Sequence, residues 1–491
     1  MQLYDKDLLS VQEVRELVEK AKTAQEELSN KSQKEIDTIV KSIAYAGVRN
    51  AGRLAKMAYE ETGFGIEADK IIKNVFASNG VYEHIKDMKT IGEISSDEEK
   101  KVRKIAVPVG VIAGLIPSTN PTSTVLYKAE VAVKAGNAIV FSPHPNARNC
   151  ILETVKVIRQ AIAEAGGNEE LVNCITIPTI QATDHLMRHP DISLILATGG
   201  SAMVRAAYSS GTPAIGVGPG NGPAYIEKTA DIEQAVKRIV DSKTFDNGTI
   251  CASEQSVVCD EDMADAVQKE LTKQGAYFLT KEQQSKLGDF ILRANGTMNP
   301  MIVGKSVQTI AKLAGIQIPK ETKVLVARET GIGRGHPYSN EKLAPILAFY
   351  AKPSYVEICE LCREILHYEG AGHTFSIHTR DPAMVDYFAK RIPASRIVVN
   401  TPSALGGIGS TTNLMPSLTL GCGAIGGSAT SENVGPMNLL NIRYVAEGIQ
   451  EIEEIRSNLP DCSEGICKQN NYEAVDVDVI VSEIIKRLQS A

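Results

Sequence analysis

Between residues 104 and 228 short β-rich runs alternate with helical ones, and this alternation constrains the fold more than any other feature of the sequence. Strands are predicted at 111–116, 138–142, 172–177, 194–197 and 214–217, separated by helical patterns at 122–135, 147–165, 181–188 and 202–209. Apolar runs too short for helices, set between helical segments, predict an open, doubly wound parallel sheet of Rossmann type with helices on both faces. Such sheets bind nucleotides beyond the carboxyl ends of their strands.

A second α/β series follows. Strands are predicted at 255–258, 323–327, 346–350, 374–378 and 396–399, with helices at 261–274, 305–314, 355–367 and 383–391. A chain of 491 residues is too long for one simple core. The expected division is therefore 1–244 for N-terminal helices plus a cofactor-binding domain, and 245–431 for an α/β catalytic domain. Residues 432–455 are expected to be a return or oligomerisation segment, 456–472 a linker, and 473–491 an amphipathic tail helix. Residues 11–62 carry helical spacing.

The bulk composition excludes several classes of function. Net charge is −7, from 52 basic and 59 acidic residues, so no basic excess exists to neutralise phosphates. Trp is absent and aromatics are 5%, which leaves few rings for stacking bases, so nucleic acid is not expected as a partner. No apolar run approaches a membrane span, and the first residues lack a secretory layout, which predicts a cytoplasmic protein. The nine cysteines are odd in number and scattered, unlike a disulfide framework. Cys359 and Cys362 have metal-knuckle spacing, but no second pair completes a zinc site, and no metal is expected.

Three turns carry chemistry. In Phe245-Asp-Asn-Gly-Thr-Ile-Cys251 a thiol follows a glycine turn at the expected domain junction. It can face a cleft as a nucleophile, or it can be one more buried cysteine. Asn120, after the first strand and before Pro121, can supply an amide to an oxyanion or can cap a helix. Thr198-Gly-Gly-Ser201 ends a strand and opens a helix, which suits a pyrophosphate. A second glycine turn, 216–222, suits close approach of a ligand.

Asn120, Thr198-Gly-Gly-Ser201, the turn 216–222, Phe245-x-x-Gly248-x-x-Cys251 and Glu341-Lys-Leu-Ala-Pro345 occur in an order and spacing that resembles the aldehyde dehydrogenase superfamily over about 104–445. Phe141-Ser-Pro-His-Pro145, Phe245 through Glu254, Glu369-Gly-Ala-Gly-His-Thr374 and Leu420-Gly-Cys-Gly423 are more similar to its CoA-acylating branch. The resemblance implies an oxidoreductase that converts a short aldehyde, such as acetaldehyde or propionaldehyde, with NAD and coenzyme A into acyl-CoA through a cysteine thioester. Succinate semialdehyde as substrate, or a hydrolytic enzyme giving a carboxylate, are the alternatives. Cys251 would be the nucleophile and Asn120 the oxyanion donor, with His373 a candidate for proton transfer or CoA binding, or else a structural histidine. The cofactor would lie against Ser118, Thr119, Ser142, Pro143, His144, Thr198, Gly199, Gly200, Ser201, Gly216, Gly218, Glu341 and Leu343.

Two departures from the hydrolytic pattern matter. Gly218 stands where hydrolytic relatives carry a glutamate base, and without a base water attacks the thioester poorly whereas a CoA thiolate needs less help. Ser142-Pro-His-Pro145 replaces the residues that surround the adenosine ribose, which leaves NAD or NADP open. The family also implies at least a homodimer. The linker and tail at 473–491 resemble peptides that load enzymes into bacterial microcompartments, with a shell protein as partner; a helix folded onto its own subunit is the other reading.

Overall fold

The computed structural model describes residues 5–457, and the expected linker beyond 457, the tail helix, Cys462 and Cys467 lie outside the described residues. The described chain forms two compact units, one of residues 5–94 with 105–443, the other of Ser95–Lys104 with residues 444–457.

Two long helices, Lys6–Ser29 and Gln33–Thr62, account for the helical spacing in 11–62. Ser32 and Glu35 close a capping box at the start of the second helix, and Gly63 ends it at φ 63°. A shorter helix, Glu67–Val75, was not foreseen; it carries Lys70 and Lys73 on its buried side. Strands β1 (Gly92–Asp97) and β2 (Val102–Pro108) follow.

The expected doubly wound sheet has five parallel strands: β3 (Val111–Ile116), β4 (Ala138–Pro143), β5 (Val172–Cys174), β6 (Ile192–Thr198) and β7 (Ala214–Val217). Their spatial order is β5-β4-β3-β6-β7. β3 and β4 are buried along their whole length, which is why they appear in the sequence as continuous apolar runs rather than alternating ones. The chain winds outward from β3 in one direction, then returns to start β6 on its other side. A crevice is therefore expected beyond the carboxyl ends of β3 and β6. The helix Pro121–Lys134 that leaves β3 is buried at every residue.

The second sheet has seven parallel strands: β8 (Gly222–Ile226), β9 (Glu254–Asp260), β10 (Ala276–Phe278), β11 (Val324–Arg328), β12 (Ile346–Lys352), β13 (Gly372–His378) and β14 (Ala394–Val399). Their order is β10-β11-β12-β9-β8-β13-β14. The short strand β10 and the helix Lys281–Ile291 were not foreseen. β8 was hidden behind a glycine turn. Because β8 pairs with β9 and β13, the chain changes sheets between Val217 and Gly222, ahead of the boundary expected near 245. Cys359 and Cys362 lie on the helix Tyr355–Tyr368 and pack into the core on one face of this sheet.

β15 (Leu440–Ala446) forms a three-stranded sheet with β1 and β2. Residues Ile452–Ser457 are helical, overlapping the expected linker by two residues. Among the described residues no helix is long and apolar enough to cross a membrane, and no group of three or more metal-ligating side chains forms.

Candidate active site

A cleft with an internal volume of about 250 Å³ opens at the crevice between β3 and β6. The first sheet contributes the turns after its strands: Pro117, Ser118, Thr119 and Asn120 after β3, His144 after β4, Thr198, Gly199 and Gly200 after β6, and Gly218 and Pro219 after β7. The second sheet contributes residues that precede its strands: Thr249, Ile250 and Cys251 before β9, and Glu341 and Leu343 before β12. Ile408, Leu418 and Leu420, from the loop after β14, add apolar wall.

Cys251 is half-buried, the most accessible of the seven described cysteines. Burial pushes its thiol up to about 12, and the neighbouring Glu341 carboxyl adds to the rise; the Arg396 guanidinium and the cysteine's own backbone N–H act the other way. Gly220 lies against its backbone: a Cβ at 220 would stand 2.1 Å from the Cys251 carbonyl oxygen, so only glycine lets the two loops meet.

Asn120 precedes the helix Pro121–Lys134, but its side chain makes no capping bond. Its Nδ2 instead donates to the Thr249 carbonyl at 3.2 Å and to Thr119 Oγ1 at 3.3 Å. Its Oδ1 accepts from the Lys73 ammonium. Asn120 thus occupies the N-cap position without a side-chain cap, and its amide spans the gap to the loop that carries Cys251.

That loop is held in an unusual shape. Asp246 and Asn247 both have positive φ, 48° and 53°, in a region L-residues rarely occupy. The Asp246 carboxylate accepts from the Ile66 N–H at 2.6 Å, from Thr249 Oγ1 at 2.7 Å, from Lys70 at 3.0 Å and from Lys73. Burial works to raise this carboxyl, yet the two ammonium groups outweigh it and hold it below the usual range. Leu343 is also strained at φ 47°, and it lines the cleft.

Glu341 accepts from the Gly220 N–H at 2.8 Å, and its own N–H donates to Glu369 at 2.7 Å. Burial and the nearby Glu369 charge raise its carboxyl to about 8. The helix Ser201–Tyr208 begins at Gly200 without a side-chain cap, and a Cβ at Gly200 would meet nothing within 4 Å. Its first amides are open to an anion, as a dinucleotide pyrophosphate requires.

Four expected cofactor contacts do not line this cleft. Ser142 is buried and shares a hydrogen bond with Thr183 at 2.8 Å, and Pro143 is the buried last residue of β4. Ser201 faces a neighbouring cleft, on the far side of the Gly218–Pro219 turn. Gly216 serves packing, since a Cβ there would strike Val204 at 2.7 Å and Tyr208 at 2.9 Å. His373 also departs from a catalytic placement. It is fully buried, with Nδ1 bonded to Thr374 Oγ1 at 2.9 Å and Nε2 enclosed without a partner. Burial, with Arg396 beside it, lowers it to about 3, so it is neutral at physiological pH.

The residues that the motifs did not reveal are Lys70, Lys73, Asp246 and the apolar wall. Asp246 lay inside the quoted Phe245–Cys251 phrase, but its partners are 176 and 173 positions away. No local pattern announces such a cluster.

Comparison with known proteins gives a consistent answer. The aldehyde dehydrogenase family model matches residues 3–409. A crystal structure of a probable aldehyde dehydrogenase from Listeria monocytogenes is 63% identical, covering 92% of this chain and 100% of that one, with a TM-score of 0.91. An acetylating aldehyde dehydrogenase from Geobacillus thermoglucosidasius is 54% identical over 92% of this chain and 99% of that one, with a TM-score of 0.90. The bifunctional aldehyde-alcohol dehydrogenase AdhE of Escherichia coli is 45% identical over 89% of this chain and 50% of its own length, so the chain spans about half the length of that curated relative. Two propionaldehyde dehydrogenase structures, each 29% identical over 88% of this chain and 97% of their own, give TM-scores of 0.80 and 0.79. One is from a fucose utilisation microcompartment of Clostridium phytofermentans, and the other, from Rhodopseudomonas palustris, holds CoA and an acylated cysteine.

Proposed function

The chain belongs to the aldehyde dehydrogenase family, and from that premise we propose that it is a CoA-acylating aldehyde dehydrogenase working through a thioester on Cys251. The observation that carries the reading is Gly218. It lines the same cleft as Cys251, and a Cβ at 218 would meet nothing within 4 Å. A side chain at 218 would start in open space, and the chain places no carboxylate at that position, which leaves the thioester to a nucleophile that needs little activation.

The Cys251 thiolate adds to the aldehyde carbonyl, and the Asn120 amide takes the developing oxyanion. A donor at that position is worth about 3 kcal/mol in the transition state. A nicotinamide nucleotide would supply the hydride acceptor; Glu341 and Leu343 would hold its ribose and nicotinamide side, and the amides after Gly200 its phosphates. Acyl transfer to CoA then frees Cys251. Every step is reversible, so acyl-CoA reduction is equally open. The walls beside Cys251, Ile250, Ile408, Leu418 and Leu420, favour a short uncharged aldehyde over succinate semialdehyde.

NAD is the expected form of the nucleotide, and a homodimer or larger the expected assembly, both on family likeness. A relative from a bacterial microcompartment supports encapsulation, with 473–491 as the proposed loading segment; without a shell the proposed location is the cytoplasm. Product analysis across acetaldehyde, propionaldehyde and succinate semialdehyde, with and without CoA, tests the function. Acyl-CoA from the short aldehydes supports it; carboxylate formed at full rate without CoA refutes it.

A further inference from the structure

Asn120 is useful as an oxyanion donor only if its amide nitrogen, not its oxygen, faces Cys251. Two neighbours decide this. The Thr249 carbonyl, two residues before Cys251, can only accept, so it selects Nδ2. On the other side the Lys73 ammonium can only donate, so it selects Oδ1. A flipped amide would set oxygen against oxygen and N–H against ammonium. The geometry points to Lys73 as a positioning residue for catalysis: held by Asp246, it binds Asn120 Oδ1 and thereby aims Nδ2 at the oxygen of the Cys251 adduct. This inference rests on the reading of Asn120 as the oxyanion donor.

The surroundings fit the role. Lys73 is 2% exposed, and its ammonium also contacts Thr249 Oγ1 at 3.3 Å. It joins the oxyanion donor on the first sheet to the nucleophile's loop before the second. The charged groups around it are Asp246, Lys70 and Asp69; Lys70 bonds Asp246 at 3.0 Å and the Thr119 carbonyl at 3.3 Å, and Asp69 accepts from the Asp246 N–H at 2.7 Å. Burial lowers Lys73 to about 8, opposed by Asp246. A cation on Oδ1 also polarises the amide and strengthens its N–H donors, since linked hydrogen bonds reinforce one another in a low dielectric. Both present Nδ2 bonds are long, so an oxyanion displaces one at little cost.

Two reactions of Cys251 that need no cofactor separate positioning from structure. Acylation by p-nitrophenyl acetate forms a tetrahedral oxyanion: sulfur attacks the ester carbonyl and nitrophenolate leaves with the bonding pair. Alkylation by iodoacetamide displaces iodide and forms no oxyanion. Asn120→Ala is expected to slow acylation about 100-fold, the size of one lost oxyanion donor. Lys73→Met is expected to slow it about tenfold or more by leaving the amide unaimed, with alkylation changed less than about twofold. Combining the two substitutions should add little to Asn120→Ala alone, because coupled groups are non-additive. Lys73→Arg should recover part of the rate. Acylation at the parent rate in Lys73→Met, equal losses in both reactions, or penalties that multiply would each overturn the inference. An unaffected Asn120→Ala would instead overturn the oxyanion assignment, and Lys73's role with it. Should Lys73→Met fail to fold, Lys73→Ala, which leaves Asp246 paired with Lys70, is read in the same way.

Discussion

The two parallel sheets approach the cleft from opposite ends of their strands. The five-stranded sheet offers carboxyl ends: Asn120 after β3, Thr198–Gly200 after β6, Gly218 after β7. The seven-stranded sheet offers amino ends: Cys251 precedes β9 and Glu341 precedes β12. The difference separates two kinds of work. Turns that leave strands and enter helices expose backbone N–H groups, which suit phosphates, and here add one neutral side-chain amide, that of Asn120. Loops that enter strands have no helix start to offer, so their chemistry comes from side chains: a thiol and a carboxyl.

The sharpest break of this comparison removes the side chain on the second sheet's side. Cys251→Ala should lower CoA-dependent NADH formation by at least about 10⁴-fold, the scale of losing a nucleophile that the remaining groups cannot replace. Steady-state rates check it, and residual activity within tenfold of the parent would move the nucleophile elsewhere. On the first sheet's side, Asn120→Ala should cost about 10²- to 10³-fold in kcat with KM for the aldehyde little changed, because the amide acts on charge that develops in the transition state. An effect confined to KM would make Asn120 a binding group instead.

Gly218→Glu sharpens the contrast by giving the first sheet an ionisable side chain. Carboxylate formation without CoA should rise about tenfold, a modest part of what a well-placed general base contributes. Carboxylate titration against NADH measures it. No gain would mean that position 218 does not reach the thioester.

The smallest effect concerns the two groups at the amino ends. In the ligand-free protein the Cys251 thiol lies near 12, so alkylation should rise about tenfold per pH unit from 7 to 10 without a plateau. Glu341 is neutral below about 8 and gains its charge as pH rises through that value. Its charge opposes the thiolate. Glu341→Gln should therefore leave alkylation unchanged at pH 6 and speed it about threefold at pH 9. An equal acceleration at both pH values would place the Glu341 charge below the neutral range.

The two sheets also differ in how much of them the sequence disclosed. β3, β4, β6 and β7 stood out as buried apolar runs between helices, and the turns after β3 and β6 announced themselves by Asn120-Pro121 and Gly199-Gly200. β8 did not, because the chain changes sheets inside a glycine-rich turn and the next helix pattern belongs to the new sheet. Gly216 and Gly218 look alike in one dimension, yet one accommodates Tyr208 and Val204 while the other opens onto the cleft. Ser142 and His144 divide in a related way: the turn after β4 lies at the cleft through His144, but the buried serine before it bonds Thr183. His373 has the residue type and motif of a catalytic group but is walled in. Lys73 carries no motif, and Asn120 and Asp246, which it bonds, lie 47 and 173 positions away, so tertiary packing sets its place.

The central claim is a Cys251 thioester that waits for CoA. Purified protein mixed with propionaldehyde and excess NAD, without CoA, measures it through NADH yield and intact mass. The account predicts a burst of about one NADH per subunit, a stall, a mass gain of one acyl group lost in Cys251→Ala, and resumed turnover when CoA is added. Continued NADH production with free carboxylate and no acylated protein would contradict it.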